Sequence, residues 1–299
     1  MSETNGNSKS KLHGLWALTN RELKKWYKAP VIFLLSIIQP IVWMGLLGKA
    51  MNIGALFDPQ SGSLPPLILA PPLTDRQAYQ LGQYFSGITK FAFGSGDYFS
   101  YMAVGMISFT ALFTTMFSGM SVVWDRRLGF LNKALSTPVS RAVIIFSKVL
   151  SATLRSMFQA GLIILIAVAF GLQFGAGFSP LYVLGVFAIM FLICVGLSSI
   201  FIAITIRSTR IETPMAVVSL INLPLMFASN AFFPTKFMPE WLQIIAKVNP
   251  LTYTTDAVRQ LLIFSTDWTQ LALDFAYVGV FAVIAAAIGI VLSWRFLSK

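Results

Sequence analysis

The sequence is poor in the side chains on which most enzyme sites depend. Charged residues make up 11% of it, against about 25% in a typical soluble domain, and it contains one histidine and one cysteine. The lone Cys194 excludes a disulfide within the chain, and the lone His13 leaves most histidine-based metal and acid–base sites without ligands. The HExxH and GxSxG motifs and a complete phosphate-binding loop are also absent from the sequence. We therefore expect no catalytic or ATP-binding centre in this chain.

Long apolar runs take the place of the missing charge. Of the 299 residues, 56% are apolar, and the mean hydropathy is +0.75. A helix needs about 20 apolar residues to cross about 30 Å of hydrocarbon. Six segments approach or exceed that length, over approximately 31–47, 98–123, 153–172, 181–206, 215–233 and 271–294. The predicted fold class is therefore all-α integral membrane, with a six-span transmembrane domain at 30–295 and a cytoplasmic tail at 296–299.

Lysine and arginine are distributed unequally between the two sides of the predicted membrane. Sixteen of the 22 precede the first span, follow the second or fourth span, or close the chain, which places them all on one side. The other side carries Arg76, Lys90, Lys236, Lys247 and Arg259, with Lys49 at a boundary. Because positive loops stay in the cytoplasm, both termini are predicted to be cytoplasmic, as an even number of spans also requires. The net charge of +11 thus reflects membrane orientation rather than nucleic-acid binding.

The first 29 residues precede the first predicted span. Residues 1–11 are polar and are predicted to be disordered. Between 12 and 29, apolar residues recur at helical spacing with lysine and arginine opposite, which predicts an amphipathic helix in the cytoplasmic interface. A simple juxtamembrane anchor and a coupling element are both open interpretations of this helix.

Two segments on the outer side are too short or too polar to span. The loop 52–97 is rich in proline and glycine, and we predict a small external cap there. Residues 234–264 hold two short apolar pieces, which have the length of re-entrant helices. We predict Asn249 as the N-cap of the second piece, and an ion pair between Asp256 and Arg259.

The cytoplasmic loop 125–141 is charged, rich in turn residues and more patterned than a simple connector. Asp125 is predicted to cap a short helix that begins at Arg126 and ends before Pro138. The apolar positions of that helix are predicted to line one stripe, and these are Leu128, Leu131 and Leu135. A short amphipathic helix on the cytoplasmic surface suits a partner's groove, whereas a solvated hairpin of no functional consequence is the alternative.

Transport driven by the chain itself has little support in the sequence. Asp274 is the acid nearest a span, and its place at the outer end favours a solvated or capping role over a proton relay. Lys148 and Arg155, at the cytoplasmic foot of the third span, are predicted to snorkel. A nucleotide-independent channel or secondary transporter is the alternative class, and a membrane-embedded transferase that uses Asp97 or Asp274 is a third.

Three features resemble the membrane subunits of type-2 ATP-binding-cassette (ABC) exporters, especially the branch that exports drugs, lipids and polysaccharides. The loop is similar to the family's acid-Arg-x-x-Gly-x-Leu…Pro-x-Ser-Arg stretch at Asp125, Arg126, Gly129, Leu131, Leu135, Pro138 and Arg141. The segment NPLTYTTDAVRQLL at 249–262 resembles the family's Asn-Pro-hydrophobic-Thr-Tyr…Asp-x-x-Arg segment. Six spans with an interfacial helix also match, whereas the loop 52–97 is longer than is common in the drug-export branch.

The resemblance implies a homodimeric pore powered by two separate ABC ATPase subunits, which hold ATP and magnesium, while this chain holds no cofactor or metal. The implied ATPase-coupling residues are Asp125, Arg126, Arg127, Gly129, Leu131, Leu135, Pro138 and Arg141. The implied extracellular gate comprises Trp241, Asn249, Pro250, Tyr253, Asp256 and Arg259. Polarity and position add Phe113, Phe117, Phe227 and Asn230 as a substrate path. The expected function is export of a drug-like molecule, a lipid or a lipid-linked glycan across the cell membrane.

Overall fold

The computed structural model of the chain describes residues 6–50, 98–136, 139–208, 210 and 212–297, with isolated positions at 76, 80, 87, 93 and 94. Within these residues the regular secondary structure is helical, and no strand occurs. Most of the predicted outer loop 52–97 and the first five residues lie outside the described residues.

Ten α-helices form in the part of the chain that the structure describes. They are α1 (Gly6–Tyr27), α2 (Pro30–Trp43), α3 (Tyr98–Arg127), α4 (Phe130–Leu135), α5 (Arg141–Ala169), α6 (Tyr182–Thr205), α7 (Glu212–Phe227), α8 (Glu240–Val248), α9 (Pro250–Leu262) and α10 (Trp268–Leu297). A π-helical segment, Met44–Ala50, follows α2, and a 3-10 turn, Thr235–Phe237, precedes α8.

Four of these helices are long and apolar enough to cross a membrane. They are α3, α5, α6 and α10, the last over Trp268–Leu292. Two further apolar helices, α2 and α7, are shorter, at 14 and 16 residues. The prediction of an all-helical integral membrane protein is confirmed.

Several helices differ from their predicted limits. Helix α1 begins at Gly6, inside the segment 1–11 that was expected to be disordered, and lysine is a residue with high helix propensity. Helix α7 ends at Phe227, before the predicted limit at 233. Ser229 there bonds the backbone, donating to the Met226 carbonyl oxygen at 2.8 Å, and such local bonds compete with helix continuation.

Helix α6 lies at the centre of the bundle and packs against α3, α5, α9 and α10. Its inward side chains are fully buried: Ile189, Met190, Ile193 and Cys194. Helices α3 and α6 approach so closely that a Cβ at Gly119 would lie 2.8 Å from the Phe201 carbonyl oxygen. This packing brings α1, α3 and α5 together around Asp125, and α9, α10 and the residues after α7 together at the opposite end of α3 around Arg259.

Candidate docking and gate sites

A tight turn separates α3 from α4 at the Asp125 end of the bundle. Gly129 adopts φ +70°, which L side chains rarely adopt, so glycine suits this position. The Gly129 N–H donates to the Arg126 carbonyl oxygen at 3.0 Å and closes the last turn of α3. Helix α3 therefore runs through Asp125 to Arg127, and the prediction that Asp125 caps a helix beginning at Arg126 is wrong.

The side chains around this turn divide into an exposed and a buried set. Leu128 is 81% exposed, whereas Leu131 is 4% exposed and belongs to a buried cluster with Ile144 and Ile145. The predicted common stripe of Leu128 and Leu131 is wrong, because the break at Gly129 leaves Leu128 at the end of α3. The exposed cations of this loop are Arg127, Lys133 and Arg141. The Leu135 side chain and Pro138 lie outside the described residues.

Five charged side chains from α1, α3 and α5 form an ion cluster beside the turn: Arg21, Glu22, Lys25, Asp125 and Lys148. The buried Asp125 carboxylate accepts hydrogen bonds from Lys148 Nζ and from Lys25 Nζ, both at 2.6 Å. Glu22, also buried, lies 3.1 Å from Lys25 Nζ, 3.5 Å from Lys148 Nζ and 3.0 Å from Arg21. Because a buried charge without a partner is strongly destabilising, the cluster holds the three helices together.

Sequence reasoning missed this cluster. Lys148 is 4% exposed and ion-paired, so the prediction that it snorkels is wrong. Its partner Asp125 is 23 residues away in sequence, and Lys25 is 100 residues from Asp125, so no local pattern connects them. The sequence offered one indication of the cluster, which is that acidic residues are rare on the predicted cytoplasmic side. Glu22 and Asp125 are two of only four there.

Two further contacts connect the turn with its surroundings. The Arg21 guanidinium lies over the Phe130 ring of α4, with its central carbon 3.0 Å from the ring centre, so the cation is attracted to the ring face. Half-buried Arg126 donates to the Ser208 carbonyl oxygen, beyond the end of α6, at 3.5 Å. The Arg21 contact thus attaches α4 to α1, and the Arg126 bond attaches the end of α3 to the residues after α6.

At the opposite end of the bundle a single arginine is buried. Arg259 of α9 is 1% exposed and donates to the carbonyl oxygens of Ala231 at 2.9 Å and Tyr101 at 3.3 Å. Its guanidinium also lies 3.5 Å from the centre of the Tyr101 ring, and the Tyr101 hydroxyl donates to the Asn230 carbonyl oxygen at 3.1 Å. Arg259 thereby fixes α9 to α3 and to the turn after α7.

The acids near Arg259 are hydrogen-bonded to amides. Gln260 Nε2 donates to Asp256 at 3.3 Å and to Asp274 of α10 at 3.1 Å, and Gln270 donates to Asp274 at 3.0 Å. Asp274 is fully buried, so its predicted solvated role is wrong. Among the described residues Asp256 and Arg259 form no ion pair within 4.0 Å, so that predicted pair is also wrong. Burial raises the pKa of the Asp256 carboxyl, although the nearby charge of Arg259 and the bond from Gln260 lower it.

The remaining gate residues are placed by a helix cap and by aromatic stacking. Asn249 caps α9 by accepting from the Leu251 N–H at 3.0 Å, as predicted, and Pro250 occupies the first turn of the helix. The Tyr253 ring stacks on that of Tyr277, with centres 4.0 Å apart. Trp241 of α8 is 63% exposed.

The four residues of the suggested substrate path have different environments. Phe117 and Phe227 are exposed on the surface of the single chain, whereas Phe113 is half-buried and lies 4.5 Å from Phe109, centre to centre. The Asn230 side-chain oxygen is buried without a hydrogen-bond partner. The assignment of these residues to a path stays a prediction.

The chain resembles known proteins over most of its length. A family model described as "ABC-2 type transporter" matches residues 13–263. The transport permease named ycf38 of Cyanophora paradoxa is 31% identical over 249 residues, which cover 83% of this chain and 73% of that protein. The daunorubicin resistance ABC transporter permease protein DrrB1 of Streptomyces coeruleorubidus is 23% identical over 172 residues, or 58% of this chain and 60% of that protein.

No group of three or more histidine, cysteine, aspartate or glutamate side chains in the described residues is arranged to hold a metal ion. The family match extends from α1 to the residue after α9, and so includes the ion cluster, the Gly129 turn and Arg259. The chain therefore belongs to the ABC-2 type transporter family, as a permease subunit.

Proposed function

We propose that this permease is the membrane half of an ATP-driven exporter in the cell membrane, with six crossings and both termini in the cytoplasm. The continuous helical stretch Pro30–Ala50 has the length of about 20 residues that a crossing needs, and α7 together with the turn after it supplies the fifth crossing. Separate ABC ATPase subunits hold ATP and magnesium and supply the energy. The lysine and arginine asymmetry of the sequence supports this orientation.

The observation that carries the proposal is the exposed Leu128 on a turn backed by buried charge. An apolar side chain that is 81% exposed beside exposed Arg127 fits a partner groove with an apolar pocket and an acidic rim. Movement of the turn would pass to α3 through Asp125 and to α5 and α1 through their lysines. The coupling residues of the family resemblance thus divide into a contact set that includes Arg127 and Arg141 and a buried set that includes Asp125 and Leu131.

A second copy of the chain would complete the pore. Helices α2 and α7 expose large apolar side chains, among them Leu34, Leu35, Leu220 and Leu223, which suit lipid or a partner protomer. Helices α8 and α9 would re-enter the outer leaflet and act as the gate. The relative named for daunorubicin resistance supports an amphipathic, drug-like substrate, and a lipid or lipid-linked glycan is the other member of that class.

Replacement of the exposed leucine tests the proposal. The tagged chain is purified from its native membranes with bound ABC ATPase subunits, and magnesium-dependent ATP hydrolysis is measured. Leu128→Glu should abolish association with the ATPase and leave insertion and the yield of folded chain unchanged. The matched control is Leu181→Glu, which changes a similarly exposed leucine (72%) before α6 on the predicted outer side and should retain the ATPase. Normal ATPase recovery with Leu128→Glu would contradict the proposal, as would ATP hydrolysis by the homogeneous chain alone.

A further inference from the structure

Helix α1 carries an open basic hollow on its solvent side. Its volume is about 380 Å³, and its lining consists of Ala17, Asn20, Arg21, Lys24, Lys25 and Lys28. Four of these six side chains are cations and none is acidic. A hollow of this size and charge suits a phosphate group and the atoms attached to it.

Two of the four cations are already engaged, and two are not. Arg21 and Lys25 belong to the ion cluster, where Glu22 and Asp125 neutralise them. Lys24 and Lys28 are exposed, and no ion pair within 4.0 Å among the described residues includes either of them. The hollow therefore keeps uncompensated positive charge, which an anion would neutralise.

The neighbouring stripe of the same helix indicates a lipid as the source of that anion. Trp16 and Tyr27 are 60% and 50% exposed, and their separation of about three helical turns places them on one face of α1. Exposed tryptophan and tyrosine are typical of the boundary between headgroups and hydrocarbon. Lys24 lies one turn from Tyr27, and the apolar α2 begins at Pro30 with exposed Val31. The lysines thus lie beside the surface where acyl chains end.

We propose that the basic hollow on α1 binds the phosphate headgroup of an anionic phospholipid of the cytoplasmic leaflet. Lys24 and Lys28 bind the phosphate, and Trp16 and Tyr27 lie against the first carbons of the acyl chains. The assignment to the cytoplasmic leaflet rests on the proposed orientation. An acidic segment of a partner protein is less suited, because it has no need of the exposed aromatic stripe.

The bound lipid is also connected with the ion cluster. Arg21 and Lys25 line the hollow and at the same time contact Asp125, at 3.6 and 2.6 Å. A phosphate in the hollow attracts these two side chains and stabilises their positive charge. A lipid bound in the hollow would therefore change the strength of the contact between α1 and α3.

The test uses the purified full chain in detergent, titrated with phosphatidylglycerol or with phosphatidylcholine, and native mass spectrometry counts the lipids retained. The wild type should retain phosphatidylglycerol in preference to phosphatidylcholine. Lys24→Gln with Lys28→Gln should weaken retention of phosphatidylglycerol by about 30-fold, since each lysine near an anionic surface contributes a several-fold gain. The matched control, Arg127→Gln with Lys133→Gln, removes two exposed cations outside the hollow and should bind as the wild type does.

Equal retention by the wild type and the Lys24/Lys28 variant would overturn the proposal, as would an equal loss in the control. Displacement of the lipid by millimolar inorganic phosphate would assign the hollow to a soluble anion instead. Retention of an acidic peptide but not of phosphatidylglycerol would assign the hollow to a protein partner, and so also overturn the proposal. These measurements need no ATPase. Lipid binding without ATPase association would contradict only the proposed function, whereas ATPase association without lipid binding would contradict only this inference.

Discussion

The two ends of the helical bundle bury charge in different ways. At the Asp125 end, acids and amines from three helices neutralise one another through side-chain contacts as short as 2.6 Å. At the Arg259 end, a buried guanidinium is held by two backbone carbonyl oxygens and one aromatic ring. Side-chain ion pairs can exchange partners as helices shift, whereas a carbonyl oxygen moves only with its backbone. The first arrangement therefore suits an element that transmits movement, and the second suits one that holds a fixed geometry.

Removal of Asp125 should have the largest effect on folding. Asp125→Ala leaves buried Lys148 with Glu22 and Ser121 as its partners among the described residues, and a broken buried ion pair costs about 3–5 kcal/mol. We expect a corresponding fall in the free energy of unfolding in detergent, measured by thermal or chemical denaturation. The double variant Asp125→Leu with Lys148→Met should recover part of the loss, and exposed Lys133→Ala should change little. A loss below about 1 kcal/mol for Asp125→Ala would show that Lys148 finds another partner.

Replacement of Arg259 should have the second-largest effect on stability, and the conservative exchange to lysine should also destabilise the chain. Arg259→Met removes the hydrogen bonds that its Nη2 donates to two carbonyl oxygens, and a hydrogen bond to a charged group contributes about 1.5–3 kcal/mol. Arg259→Lys keeps the charge but loses the planar guanidinium, which lies on the Tyr101 ring while its Nη2 donates to both carbonyl oxygens. Amide hydrogen exchange along α9 should therefore rise in both variants. Unchanged exchange in Arg259→Lys would indicate that charge alone holds this end.

A change in the backbone spacing should produce an intermediate effect. A Cβ at Gly105 of α3 would lie 1.9 Å from the Ala231 carbonyl oxygen, which is one of the two that Arg259 binds. Gly105→Ala should therefore separate α3 from the turn after α7, at a cost of about 1–3 kcal/mol. Gly279→Ala of α10, whose added Cβ would meet no atom within 4 Å, is the control. Equal thermal midpoints for Gly105→Ala and Gly279→Ala would contradict this prediction.

Replacement of exposed cations in the cytoplasmic loop 125–141 should have the smallest effect on stability. Arg127→Glu with Lys133→Glu changes side chains that contact solvent, so the free energy of unfolding should change by no more than about 0.5 kcal/mol per site. The same variant should lose its ATPase partner, because it reverses the charge that an acidic groove would recognise. Retention of the ATPase by a stable double variant would remove these cations from the docking surface.

Much of the helical organisation follows from composition and local pattern. Long apolar runs indicate α3, α5, α6 and α10, and Asn249 before Pro250 indicates the start of α9. Asp125 shows where local pattern fails. An acid before a leucine-rich stretch has the pattern of an N-cap, but burial beside Lys148 and the break at Gly129 keep it inside α3. The competing interactions connect residues far apart in sequence, and no local periodicity contains them.

Local sequence pattern also fails to predict the contacts around Arg259. Asp256 and Arg259 lie three positions apart in the sequence, and this local spacing favours an ion pair on one helix face. The buried carbonyl oxygens of Ala231 and Tyr101 bind Arg259 instead, and Gln260 binds Asp256. The two carbonyl oxygens belong to α3 and to the turn after α7, which only the tertiary structure brings within reach of Arg259, whereas Gln260 lies one turn from Asp256 on α9 itself.

Labelling of single cysteines from each side of the membrane tests the central claim most directly. The native Cys194 is buried and unpaired, so it should give no background with an impermeant maleimide on the folded chain. Ser136→Cys, at the exposed position that follows α4, should be labelled only in inside-out vesicles. Glu240→Cys, at the start of α8, should be labelled only in right-side-out vesicles. Labelling of Ser136→Cys from the outer side would contradict the account, because the turn that carries Leu128 would then lie across the membrane from any ATPase.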